Sequence, residues 1–166
     1  MKALSLLQPW ASLWLGPKHV ETRSWNTSYR GALAIHASKR FWREDIELSL
    51  EPPFSTAIHG LGYNVLAELP LGAIIGVTSL KHVGTIINDQ PDAPYVQAWP
   101  ADRILIRGDE ATFGNYEPGR YGWVRGDVFR LPEPVPCLGA RGLWDVPEDV
   151  LGQVLAQLPG DWAVRL

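Results

Sequence analysis

Runs of apolar residues predict a chain of short strands, with helices early and late in the sequence. Residues 31–36 and 72–83 read as buried strands, because small and β-branched apolar residues fill them without helical spacing. Residues 121–129 give a further strand, and the prolines of 131–136 favour an edge or a connection. The other predicted elements are a strand at 2–7, helices at 8–15, 39–50, 54–69 and 146–158, and a turn at 139–144 into a last short strand.

The segment 86–119 is the least regular part of the chain, because proline and glycine interrupt it repeatedly. It is predicted as a loop insertion with one short strand at 103–107. A length of 166 residues suits one domain spanning 1–166. Several strands separated by turns, with helices between and beside them, predict an α+β fold around a small β-barrel.

Charge is unevenly distributed along the chain. The formal net charge is −3, which argues against binding along duplex DNA. Six of the fifteen Lys and Arg residues nevertheless fall between residues 17 and 43, where Glu21 is the one acidic residue. A local basic face on an acidic protein favours a small anionic or nucleotide-sized ligand over a long duplex.

Cysteine content and hydropathy indicate the compartment. Cys137 is the only cysteine, so no disulfide can form within the chain, and a reducing compartment is expected. The first residues lack the pattern of a signal peptide, and no apolar run approaches the roughly 20 residues that span a bilayer. We therefore expect a cytoplasmic protein with no membrane association.

The most informative polar group lies in the segment 16–25, GPKHVETRSW. If this segment is extended, Glu21, Arg23 and Trp25 share one face and Thr22 points the opposite way. Lys18 sits at the bend after the Gly-Pro pair. An ammonium, a carboxylate, a guanidinium and an aromatic ring are thus predicted to converge, which suits a base or phosphate held by hydrogen bonds and stacking.

Four further residues are candidates for the same ligand-binding site. His36, Ser38 and Lys39 follow the strand 31–36, so they are expected near its end. Tyr121 begins the strand 121–129 and provides a candidate opposite wall. No cluster of His, Cys and carboxylate residues has metal-ligand spacing, and no phosphate-loop motif is present, so neither a metal nor a cofactor is predicted.

Structural interpretations remain open for these residues. Lys18 and Glu21 could form an ion pair at the mouth of the barrel, which at a surface is worth roughly 0–1 kcal/mol. His36 follows an apolar run, where a histidine usually belongs to the core. Ser38 could cap the helix that follows it.

Motifs along nearly the whole chain resemble the ASCH-domain family, whose fold is a PUA-like β-barrel. The matching segments are QPWAS (8–12), GPKHVETRSW (16–25), YRGALAIHASK (29–39), GAIIGV (72–77), YGWV (121–124) and GARGLW (139–144). The resemblance implies a barrel with a cleft lined by the segment that contains Lys18, Glu21 and Arg23. It also implies RNA or nucleotide binding.

One branch of that family consists of small amidohydrolases that remove the acetyl group from acetylated cytidine. That branch uses a Lys, a Thr three residues later and a downstream Glu. Lys18 matches the Lys, but Glu21 stands at the position of the Thr, and the strand 72–83 contains no Glu. If the chain is such an enzyme, Lys18 and Glu21 are its candidate catalytic pair.

Three functions follow as hypotheses. The first is a binding module that recognises RNA or a nucleoside through Lys18, Glu21, Arg23 and Trp25. The second is an amidohydrolase acting on an N-acylated pyrimidine nucleoside. The third is a protein-interaction domain in which the polar cleft is structural. The sequence indicates neither the oligomeric state nor the identity of the ligand.

Overall fold

A computed structural model describes residues 1–89, 94–97, 103–160 and 162. Its helices are α1 (Trp10–Trp14), α2 (Arg43–Ser49), α3 (Phe54–Gly60), a 3-10 turn at Leu66–Glu68, α4 (Asp109–Thr112) and α5 (Glu148–Leu155). Its strands are β1 (Lys2–Leu6), β2 (Val20–Arg23), β3 (Gly31–Ala37), β4 (Ala73–Ile87), β5 (Tyr95–Gln97), β6 (Arg103–Leu105), β7 (Tyr121–Pro136) and β8 (Leu143–Asp145). The expected α+β class is confirmed.

The strands form one large, mostly antiparallel sheet in the order β2-β7-β4-β3-β1-β8. Of the strand pairs in the described ranges, β1 with β3 is the parallel one, and β5 and β6 extend the sheet from the far end of β4. Among the described residues the two edge strands, β2 and β8, do not pair with each other, so the sheet is open rather than a closed barrel. No described helix is long and apolar enough to cross a bilayer.

The core lies on both faces of this sheet because residues along β3 alternate between them. Leu33 and Ile35 pack with α1 and Trp123 on one face. Ala32 and Ala34 pack on the other face with valines of α5. Alternation along β3 therefore places α1 on one face of the sheet and α5 on the other.

Two predicted elements differ in extent from the observed ones. The helix expected over 54–69 ends at Gly60 and is followed by a separate 3-10 turn, because Gly62 adopts a positive φ of 92° that stops helical continuation. The strand expected at 121–129 continues through 136. Prolines 132, 134 and 136 are tolerated because, among the described strands, that half of β7 pairs with β4 alone, and its other edge has no strand partner.

The expected loop insertion over 86–119 contains the end of β4, the short strands β5 and β6, and α4. Residues 90–93 and 98–102 of that segment lie outside the described part of the chain. The structure places α4 beside the start of β2, which brings this distant segment to the polar residues considered next.

Candidate functional site

Lys18 lies at the turn between α1 and β2, and none of its surface reaches solvent. Its backbone N–H donates to the carbonyl of Leu13, which folds the turn back on α1. Its ammonium donates to the Val20 carbonyl and, at 2.8 Å, to Oε2 of Glu21. A buried ammonium requires such partners, because an unpaired charge in the interior costs several kcal/mol.

Glu21 is the centre of a three-residue charge cluster. Its other carboxylate oxygen, Oε1, lies 3.4 Å from Nε of Arg23, and 7% of the residue is exposed. Arg23 also donates from Nη2 to the carbonyl of Ser5 at 3.2 Å. The structure thus brings both Lys18 and Arg23 into contact with Glu21, so that one anion has two cationic partners.

Arg125 of β7 holds the backbone of the turn that presents Lys18. Its Nε donates to the Lys18 carbonyl at 2.8 Å, and its Nη2 donates to the Gly16 carbonyl at 2.5 Å. Burial lowers the pKa of this guanidinium, and the negative charge of Glu110 opposes that shift. The turn is therefore fixed by a side chain more than a hundred residues away in the sequence.

Glu110 of α4 fixes the other side of the same turn. Its carboxylate accepts hydrogen bonds from the backbone N–H groups of His19 at 2.7 Å and Val20 at 3.1 Å. The Tyr116 hydroxyl donates to it at 2.9 Å, and burial together with this carboxylate raises the pKa of Tyr116. Sequence reasoning missed Arg125 and Glu110, because nothing local to either residue connects it to the turn.

A cleft of about 400 Å³ opens beside Glu21. Its lining residues are mostly aromatic or small and polar: Trp10, Glu21, Thr22, Leu48, Phe54, Thr112, Phe113, Gly114 and Asn115. Phe54 packs edge-on against both Trp10 and Phe113, with centroid separations of 6.0 and 5.2 Å. Lys18 and Arg23 are not part of this lining, so Glu21 is the member of the charge cluster that faces the cleft.

Thr22 also lines the cleft, although strict alternation places it opposite Glu21. Its hydroxyl accepts a hydrogen bond from the backbone N–H of Asn115 at 3.2 Å. The loop that carries Asn115 bends over the end of β2 and supplies one wall. The cleft therefore combines a carboxylate, a hydroxyl and aromatic surfaces within one opening.

Trp25 and Tyr121 lie away from the cleft lining. Trp25 is half-buried and packs edge-on against Trp123 with ring centroids 4.7 Å apart. Tyr121 pairs with Arg23 in the β2–β7 register and packs against the same apolar cluster as Trp25. Both rings contact the core, so the structure places neither beside Glu21 as a stacking surface.

His36 belongs to a second polar cluster on the strands β1, β3 and β8. Its Nδ1 lies 3.1 Å from the Ser5 hydroxyl, its Nε2 lies 3.2 Å from the Cys137 carbonyl, and its ring packs edge-on against Trp144. Because a carbonyl can only accept, Nε2 carries the proton and Nδ1 accepts from the Ser5 hydroxyl. His36 is a buried, hydrogen-bonded histidine, and desolvation lowers its pKa.

Ser38 and Lys39 follow β3 at the surface. The Ser38 hydroxyl accepts from the backbone N–H of Arg40 at 3.3 Å, and the Lys39 side chain is exposed. Neither residue lines the cleft. The eight candidate residues therefore divide into the charge cluster, two core-packed rings, a buried histidine and a surface turn.

The described residues contain no group of three or more His, Cys, Asp or Glu side chains arranged to hold a metal ion. Comparison with known sequences adds no identification, because no family model and no curated protein matches the chain. The chemistry of the cleft is therefore the basis for a functional proposal.

Proposed function

We propose that the cleft binds a nucleoside or a nucleotide of a short single-stranded RNA. One observation carries this proposal: Glu21 is held between two cations at a cleft lined by three aromatic side chains. A volume of about 400 Å³ falls within the range of small-molecule sites. Aromatic walls suit a planar base, and a fixed carboxylate suits the N–H donors along one edge of that base.

The charge cluster explains why Glu21 can serve as a recognition group. Lys18 and Arg23 each contact one oxygen of the carboxylate and so fix its direction, while each oxygen retains capacity for a further hydrogen bond. Bases that carry an exocyclic amino group can donate to it, whereas uracil offers a single ring N–H flanked by two carbonyls. We therefore expect cytidine, adenosine or guanosine to bind more tightly than uridine.

An ASCH-type domain with PUA-like barrel architecture is part of the same proposal. Arg23 of β2 donates to the backbone of β1, although three strands separate β2 from β1 in the sheet order. This contact supports a strongly curled sheet of the kind from which a small barrel is built. A cytoplasmic location also remains a proposal, supported by the single cysteine.

Binding of the four nucleosides and of short single-stranded RNAs to the wild-type protein and to Glu21→Gln tests the proposal. Gln keeps the size of the side chain but removes the charge, so affinity for amino-bearing bases should fall by about tenfold or more. Glu47→Gln is the matched control, because Glu47 is exposed on α2 and outside the cleft lining. A Kd of about 1 mM corresponds to a binding free energy of only about −4 kcal/mol. If the wild type does not bind a nucleoside at that concentration, the proposal is contradicted.

Amidohydrolase activity is a second candidate function, and the contact between Lys18 and Glu21 supports it. The Lys18 ammonium and the Glu21 carboxylate lie 2.8 Å apart directly beside the cleft. Such a pair can supply a proton donor and acceptor to an amide. Its weakness is access, because Lys18 is fully buried and its ammonium already has two partners.

A further inference from the structure

The region from Trp42 to Leu71, between β3 and β4, carries a concentration of exposed apolar side chains. Large apolar side chains with at least a third of their surface exposed in this region are Trp42, Ile46, Leu48, Leu50, Val65 and Leu71. Only three described side chains of that kind lie elsewhere, namely Leu105, Leu138 and Leu155. Three of the six, Ile46, Leu50 and Val65, line the same groove, and a contiguous apolar patch of this kind marks an interaction site, whereas scattered apolar residues are ordinary on a surface.

A groove of about 320 Å³ lies within this region, between α2 and α3. It is lined by Ile46 of α2 and Leu50 just after that helix, by Ile58 and His59 of α3, and by Val65. It shares no lining residue with the cleft beside Glu21, because α2 directs Leu48 to the cleft and Ile46 and Leu50 to the groove. The groove is therefore a separate surface, and it does not depend on the proposed function.

The walls of the groove are fixed by hydrogen bonds. Tyr63, which lines it, accepts a hydrogen bond from Arg130 at 3.1 Å and lies beneath the guanidinium of that residue at 5.3 Å. The backbone N–H groups of Asn64 and Val65 donate to the carboxylate of Glu68. A wall held in this way can receive apolar side chains without first reorganising, which favours binding.

The negative charge around the groove favours a positively charged partner. Residues 42–71 contain five acidic residues (Glu44, Asp45, Glu47, Glu51 and Glu68) and one basic residue (Arg43), a net charge of −4. The carboxylates flank the groove rather than line it, and Arg130, whose guanidinium lies over Tyr63, brings the local charge to −3. The whole chain carries 15 − 18 = −3, so the rest of the chain carries +1. RNA and anionic lipid are repelled by such a region, and two copies meeting face to face through it repel each other.

We infer that the groove is a docking site for a basic amphipathic helix of a partner protein, with apolar residues on one face and Lys or Arg beside them. The apolar face fills the space between Ile46, Leu50 and Ile58, as helices do in apolar grooves. The flanking cations lie over the carboxylates of α2. Apolar anchors supply most of the affinity, and the charges supply selectivity and faster association.

The inference is tested with a synthetic peptide of about 14 residues that has Leu at helical spacing and Lys elsewhere. Fluorescence anisotropy measures its affinity for the full chain. A peptide of the same composition with scrambled order and a peptide with Glu in place of Lys should each bind about tenfold more weakly or not at all. Equal binding of all three peptides, or no binding by the first, overturns the inference.

Variants locate the peptide on the protein. Leu50→Ser and Val65→Ser change exposed side chains, with 61% and 56% of their surface accessible, so both variants should fold. Each should weaken the Leu/Lys peptide by about fivefold or more, as loss of an apolar anchor does. Leu138→Ser is the matched control, because Leu138 is 91% exposed and lies outside the groove. An equal effect of the control contradicts the assignment.

Three further measurements distinguish a basic helix in the groove from a nucleoside, a second copy of the chain and a membrane surface. Nucleoside binding should be unchanged in Leu50→Ser and Val65→Ser, which keeps this inference distinct from the proposed function. Concentration-dependent dimerisation that Leu50→Ser abolishes would assign the groove to a second copy of the chain. Binding to vesicles of phosphatidylcholine and phosphatidylserine that Leu50→Ser abolishes would assign it to a membrane surface. Either of the last two results overturns the inference.

Discussion

The ammonium of Lys18 lies 2.8 Å from the carboxylate of Glu21, inside the protein rather than on its surface. Lys18 has no exposed area and Glu21 has only 7%. The pair in the segment 16–25 is therefore a buried ion pair and not a surface one. It joins a turn held by Arg125 and Glu110 to the lining of the aromatic cleft, so the same pair stabilises the fold and positions the proposed recognition group.

The first prediction concerns the stability that this pair provides. Glu21→Met leaves the buried ammonium of Lys18 without its counter-charge, and it should lower the free energy of unfolding by about 3–5 kcal/mol. Lys18→Met combined with Glu21→Met should recover much of that loss, because both charges are then gone. Urea unfolding followed by circular dichroism measures the free energies.

The control for that cycle is the exposed ion pair between Lys2 and Asp145, whose atoms are also 2.8 Å apart. Asp145→Ala should destabilise the protein far less than Glu21→Met does, because solvent screens the exposed pair. A Glu21→Met variant as stable as Asp145→Ala would show that burial of Lys18 has no energetic consequence. The distances are the same, so the comparison isolates burial.

The second prediction concerns the salt dependence of RNA binding. Of the two cations that contact the cleft-facing carboxylate, Arg23 is the one with exposed surface, and the net charge of the chain is −3, so one or two phosphate contacts are expected. A plot of log affinity against log salt for a short single-stranded RNA should have a slope between about −0.7 and −1.4. A slope steeper than about −4, which corresponds to roughly six contacts, contradicts a small-cleft mode of binding.

Two arginine variants refine the salt measurement. Arg23→Gln should make the slope less steep by about 0.7, because one contact is lost. Arg43→Gln should leave it unchanged, because Arg43 is paired with Glu47 on the exposed face of α2. Equal effects of both substitutions would indicate a diffuse basic face instead of a contact at the cleft.

The third prediction follows from the lowered pKa of His36. A histidine whose pKa is lower in the folded state takes up protons on unfolding, so its contribution is present above the ordinary pKa of about 6.5 and is lost as pH falls below it. The free energy of unfolding should therefore decrease between about pH 7 and pH 5.5, by at most about 1.4 kcal/mol per pH unit. His36→Gln should flatten this dependence, and an unchanged pH profile in that variant would contradict the assignment.

The fourth prediction tests how closely the loop after β7 packs on the same histidine. A Cβ at Gly139 would lie 2.4 Å from the His36 ring and 2.5 Å from the Ser5 hydroxyl. Gly139→Ala should therefore destabilise the protein by about 1–3 kcal/mol. Gly152→Ala in α5 is the control, because its Cβ meets open space and Ala favours a helix, so stability should rise by about 0.5–1 kcal/mol. Thermal unfolding of both variants gives the comparison.

The sequence predicted the parts of this structure that depend on local pattern. Alternation and apolar runs located β3 and β4, and alternation placed Glu21 and Arg23 on one side of β2, where they meet. The cleft could not be predicted, since Phe54 and Phe113 reach it from segments about sixty residues apart. Trp25 stands next to the polar residues in the sequence, but tertiary packing places its ring against Trp123.

The final prediction concerns catalysis on acetylated cytidine. Lys18 is sealed from solvent and its ammonium already donates to Val20 and Glu21, so its capacity to exchange a proton with a bound amide is small. Position 21 also carries a carboxylate, where the amidohydrolase hypothesis expects a hydroxyl. We expect the nucleoside to bind without measurable turnover. Liquid chromatography of the reaction mixture, with mass detection of released cytidine, measures this.

The assay compares three proteins: the wild type, Glu21→Gln, and Glu47→Gln as a control outside the cleft. Turnover by the wild type and by Glu47→Gln that Glu21→Gln abolishes would replace the binding module with an enzyme. Binding without turnover in the wild type, lost in Glu21→Gln alone, supports the binding module. Circular dichroism of each variant separates loss of the carboxylate from loss of the fold, because Glu21→Gln keeps a hydrogen-bond acceptor for the buried Lys18 ammonium.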